Sequence, residues 1–159
     1  MKTLLLFAFL FILPLSVLAQ VTDLERQKVS NLGKNNIALK AYDPVSYFTE
    51  KEPLKGDKDI YSDYKGIRYH FATTANKATF DTSPDKYEPA YGGWCAYAVG
   101  KGYTADANPK TYKIIDDKLY VFYNNGLVNT LKRWNKDEAK LYPSSIENWP
   151  GLVADFLGK

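Results

Sequence analysis

One imidazole and one thiol bound the side-chain chemistry open to this 159-residue chain, because His70 and Cys95 are its only histidine and cysteine. Both fall within residues 64–99, among closely spaced aromatics. A thiolate is the soft ligand that suits copper or zinc, and a neutral imidazole accompanies it well. Asp43 is the weaker oxygen donor that could join them. Two protein ligands leave positions open on the ion, so such binding would be labile and would serve transfer or sensing better than holding a fold together. Other accounts stand beside this one. Free cysteine is among the most buried residue types, and a single histidine is often structural. Thiol-dependent catalysis at Cys95 would need His70 as base, Asp43 or Asn76 as orienting group, and an oxyanion hole after Gly92-Gly93. With no second cysteine, dithiol exchange within one chain is excluded. The only methionine is Met1, which excludes a methionine-rich copper carrier.

The elements that must position these residues read as follows. Ile60–Tyr64 and Ile67–Phe71 flank Lys65-Gly66, a two-residue hairpin signal. Alternation puts Ile67, Tyr69 and Phe71 on the core face and Arg68 with His70 on the reverse. Thr73 or Thr74 caps a short helix to about Phe80, and Pro84 ends it. Gly92-Gly93 precedes Trp94-Cys95, and the alternating run from Trp94 to Val99 predicts a strand. Asn108-Pro109 marks a turn. Tyr112–Ile115 and Leu119–Tyr123 form a second hairpin around Asp116-Asp117-Lys118. Leu127, Leu131 and Trp134 make an amphipathic stripe, and Ser144 with Glu147 fits a capping box for a last helix. Pro44 makes the segment around Tyr42–Phe48 a packed entry loop rather than a strand. The fold class expected is α+β: a small, mainly antiparallel sheet with one short helix and a C-terminal helical cap.

Residues 1–19 read as a signal peptide: Lys2, an apolar run from Leu4 to Leu13, Pro14, then Val17-Leu18-Ala19 at the cleavage point. The run is shorter than the roughly 20 residues of a membrane span. The expected mature protein starts at Gln20, is exported (periplasmic or secreted), and has no membrane span after cleavage. Residues 20–36 read as a linker or short helix, and 37–159 as one domain. Loss of Lys2 takes the formal charge from +3 to +2. With no dense basic run, nucleic acid is a poor partner. The aromatic residues leave room for a small-molecule pocket, with Tyr47, Tyr69, Trp94 and Tyr97 as its candidate walls.

The segments Tyr42-Asp43-Pro44-Val45-Ser46-Tyr47-Phe48, Tyr64-Lys65-Gly66, Tyr69-His70-Phe71, Gly92-Gly93-Trp94-Cys95-Ala96-Tyr97-Ala98 and the later Arg133-Trp134 and Trp149-Pro150 together resemble the YHS family. More specifically, they resemble its secreted single-domain branch. Metal-binding relatives carry an Asp-Pro-Val-Cys element and a Tyr-Phe-Cys element with another cysteine four residues on. This chain has Ser46, Ala72 and Asn76 at those three positions, so a metal site of the relatives' type is not expected. The secreted branch is associated with selenoprotein-like members. Selenium at the Cys95 position would imply redox or metal chemistry there.

The leading expectation is therefore an exported YHS-type binding domain with labile copper, zinc or other metal binding through Cys95, His70 and Asp43. The alternative is a metal-free small-molecule or protein interaction module on a scaffold whose metal site has decayed. An enzyme is the lesser expectation. A joint site requires Cys95 and His70 to line one concavity, with Asp43 or Tyr47 at its rim.

Overall fold

The computed structural model describes residues 22–159, so the leader expected over 1–19 lies outside the described residues. The class is α+β, as expected, with a long C-terminal helix as the cap; among the described residues the strands form two two-stranded antiparallel sheets, and there are seven α-helices. A first helix, α1 (Asp23–Val29), forms within the segment read as linker or short helix. Its capping box is closed by Thr22, whose Oγ1 accepts from Glu25 N at 3.2 Å while Thr22 N donates to the Glu25 side chain at 3.0 Å.

The first hairpin pairs β1 (Asp57–Tyr64) with β2 (Ile67–Phe71) in the register Tyr64↔Ile67 and Tyr61↔His70. Lys65 and Gly66 both have positive φ, the primed turn that matches strand twist. Ile67, Tyr69 and Phe71 enter the core as alternation requires. A four-residue helix α2 (Ser46–Thr49) precedes the hairpin; α3 (Thr74–Thr82), capped by Thr73, follows it. Pro84 does more than stop α3. It opens α4 (Pro84–Tyr87), where a missing N–H is harmless.

The run from Trp94 to Val99 is not a strand. Cys95 is the N-cap of a helix α5 (Ala96–Gly100), touching β4 by a single bridge to Val121. A short apolar run has no periodicity strong enough to separate strand from buried helix, and here the small residues Ala96 and Ala98 pack as one helical turn inside the core. Asn108-Pro109 likewise is not a turn: it begins β3 (Asn108–Ile115), beside a register shift where proline is tolerated. β3 pairs with β4 (Lys118–Phe122) around the left-handed pair Asp116-Asp117.

Leu127 departs from its predicted stripe. It is 95% exposed, in the loop before α6 (Thr130–Trp134), and only Trp134 of the three is fully buried. The last helix, α7 (Glu138–Leu157), runs unbroken through Pro143 and Pro150, so Ser144 lies inside it and is no cap. Packing of α7 over α5 and the loop before it overrides the local stop signals: Asn148 Nδ2 donates to Val99 O at 2.9 Å, and Trp94 stacks on Phe156. One core joins the inner faces of both hairpins to Trp134 and Leu141. No helix among the described residues is long and apolar enough to cross a membrane.

Candidate functional site

Asp43, the expected third ligand, is completely buried. Its Oδ1 accepts from Val45 N (2.8 Å) and Ser46 N (3.3 Å), and its Oδ2 accepts from Ala72 N (2.8 Å) and Asn76 Nδ2 (2.7 Å). Ser46 Oγ donates to Asp43 O at 2.7 Å and accepts from Leu54 N at 2.9 Å. The three positions where metal-binding relatives would have cysteines, Ser46, Ala72 and Asn76, thus meet at this one carboxyl group. All four of its contacts are N–H donors, which repel a cation. Proline before Val45 sets the turn, and Thr73 at the head of α3 aims Asn76 back toward Asp43. The donor set does not fit a copper or zinc ion. It fits a hydrogen-bonded clasp joining the entry loop, the strand end and α3.

His70 is 6% exposed, at the end of β2. It lies under Gly56, where an added Cβ would come within 2.6 Å of the His70 backbone and Cβ, so this crossing requires glycine. Burial lowers its pKa, and the nearby charges of Arg68 and Lys55 lower it further. The sequence left open whether His70 faced solvent or a pocket on the reverse side of β2; it is covered by the chain itself.

Cys95 is fully buried beside β4. Its Sγ accepts from Tyr123 N at 3.2 Å and lies 3.3 Å from Thr130 Oγ1. It borders a cavity of about 250 Å³ with Tyr97, Tyr103 and Arg133, which His70 does not line. The shared concavity expected for Cys95 and His70 is therefore not formed. The two hairpins are separate sheets, and Cys95, capping a helix rather than sitting on a strand, belongs to the second while His70 belongs to the first. No cluster of three or more histidine, cysteine or acidic side chains placed to hold a metal occurs among the described residues.

The four candidate pocket residues also separate. Tyr47 is core, its hydroxyl donating to Pro109 O at 2.9 Å. Trp94 donates its indole N–H to Val29 O at 2.9 Å. Tyr97 borders the Cys95 cavity, and Tyr69 a different and larger one. That larger cavity, about 410 Å³, lies between α1, β2, the turn at 88–92 and α7. The Tyr69 hydroxyl donates to Glu88 Oε1 at 2.8 Å, and the same oxygen receives Arg26 Nη2. Burial, then the Glu88 charge, pushes the Tyr69 pKa far up, which keeps this phenol a donor. Tyr91 adopts φ 55°, a conformation uncommon for a side chain of its size, and its hydroxyl lies 2.7 Å from Ser145 Oγ. Gly92 next to it packs against Ser30, where a Cβ would meet Ser30 Oγ at 2.8 Å.

Arg26 and Glu88 of this cavity escape the sequence reading, and Lys118 and Trp149 enter it only as a turn residue and as part of the family likeness. They come from four distant segments, and the spacing of none marks it. The opposite charges of Arg26 and Glu88, each in a segment that otherwise reads as surface, carry no local signal of pairing.

No match to the chain is found among curated proteins or among solved structures. Residues 45–91 do match a family model, less than a third of the chain but a stretch that holds Ser46, both strands of the first hairpin, His70, Ala72 and Asn76. Asp43 and Cys95 fall outside it. The matched model is that of the YHS domain, so this stretch of the chain is similar to that domain.

Proposed function

We propose that this protein is an exported, metal-free binding module of the secreted YHS type, in which the family's metal positions have become a structural clasp. The observation that carries the reading is the saturation of Asp43 by four N–H donors, drawn from the segments that carry Ser46, Ala72 and Asn76. A metal ion there would need those donors turned away, leaving buried N–H groups unpaired at about 1–3 kcal/mol each. Cys95 supports the same reading: it is buried, holds the Tyr123 amide and meets the Thr130 hydroxyl, as a core thiol would. What remains for function is a folded scaffold with open cavities, suited to a small molecule.

The test is to titrate the purified protein with Cu(I) and with Zn(II) under reducing conditions. The expected result is no stoichiometric binding, and a melting temperature unchanged by chelator. Tight binding of one equivalent, lost in Cys95→Ser or His70→Ala, would restore the labile-metal alternative.

A further inference from the structure

We propose that the cavity between α1, β2 and α7 binds a small monoanionic carboxylic acid with an aromatic or branched apolar body. At about 410 Å³ the cavity falls in the range of small-molecule sites, where most of the wall is apolar and a few polar groups set orientation. The walls here follow that division. Ile67, Trp149 and Val153 supply apolar surface, and Arg26, Glu88 and Lys118 supply the charge.

Two cations against one carboxylate leave a net positive lining. Glu88 does not consume both. Its Oε1 takes the Tyr69 hydroxyl and Arg26 Nη2 together, so the arginine is engaged through one nitrogen. Arg26 Nη1 makes no hydrogen bond among the described residues, while Nε is unpartnered but closed to solvent. A guanidinium offers five donors in a planar fork, and a carboxylate is the group whose two oxygens match it. Lys118 donates to Asp85 O at 2.8 Å and has further N–H groups for the same anion. Trp149 packs beside Tyr91, ring centroids 5.4 Å apart, and this aromatic wall takes the ligand's body. Tyr91 is held in its left-handed conformation at the cavity wall, and backbone strain of this kind clusters at ligand sites.

The experiment titrates the purified protein with phenylacetate, with its neutral amide phenylacetamide, and with the cation phenethylamine, reading tryptophan fluorescence and heat. Phenylacetate is expected to bind about tenfold or more tighter than either analogue, since charge-assisted hydrogen bonds carry the difference. Arg26→Gln should weaken phenylacetate by about tenfold, and Val153→Trp should abolish saturation by filling the cavity while leaving the circular dichroism intact. If Arg26→Gln does not fold, Lys118→Gln decides, with a weaker but measurable loss expected. Tightest binding by phenethylamine, unchanged affinity in the folded charge variants, or no saturable binding of phenylacetate below about 10 mM would overturn the proposal. The site shares no residue with the Asp43 clasp. Acid binding that persists beside a newly found metal site would sink the metal-free reading alone, and failure of acid binding without metal uptake would sink only this one.

Discussion

Replacing Asp43 by alanine removes the acceptor for three short hydrogen bonds, from Val45 N, Ala72 N and Asn76 Nδ2, and one longer bond from Ser46 N. Asp43 itself is fully buried, and two of the donors, on Ala72 and Asn76, belong to partly exposed residues. Each donor left unpaired and buried costs about 1–3 kcal/mol, and water reaching the Ala72 and Asn76 donors and the small void left by the side chain recovers part of that. A loss of roughly 3–6 kcal/mol is expected, a large share of the 5–15 kcal/mol typical of a whole domain. For a chain of this size that lowers the melting temperature by roughly 10–20 °C. The informative comparison is Asp43→Asn, which keeps shape and volume. Its amide presents N–H to one pair of donors, so two bonds are lost and donor faces donor. Asn should therefore be nearly as damaging as Ala. Urea unfolding followed by circular dichroism measures both. If Asp43→Asn came within about 1 kcal/mol of wild type, the carboxyl would be a space-filler and the clasp argument would fail. Asn76→Ala removes one donor at a partly buried position and should cost only about 1 kcal/mol.

Native Cys95 should resist thiol reagents until the protein is unfolded, because its sulfur is buried and already accepts the Tyr123 amide; rapid alkylation of the folded protein would contradict this. His70 predicts a pH dependence of definite sign. Its folded pKa lies below the ordinary value, so below about pH 6.5 the unfolded chain binds the proton more readily and stability falls as pH falls toward the folded pKa. Denaturant midpoints followed downward from pH 7.5, about one unit above the ordinary histidine value, check it, and His70→Gln should flatten the slope. Pro150 lies inside α7 and is exposed, where proline removes an N–H and crowds the preceding turn. Pro150→Ala should stabilise by about 1–3 kcal/mol, and a lower melting temperature would show that the proline serves a bend the packing needs.

Local chemistry determined a good part of this protein from the sequence alone. Lys65-Gly66 marks its hairpin because glycine takes positive φ freely, Asp116-Asp117-Lys118 marks the second, and Thr73 caps α3 because its hydroxyl reaches the first free N–H groups. The replacement of cysteines by Ser46, Ala72 and Asn76 was equally legible, since it needs only residue types. Tertiary structure decided the rest. Trp94–Val99 becomes a helix cap and turn because α7 and β4 close around it, a choice that six residues of periodicity cannot encode. α7 runs through Pro143 and Pro150 because packing against α5 outweighs two missing hydrogen bonds. Whether Cys95 and His70 meet depends on how two independent hairpins are set around one core. The pairing of Arg26 with Glu88 likewise joins residues 62 positions apart, and only the folded chain brings them to one cavity.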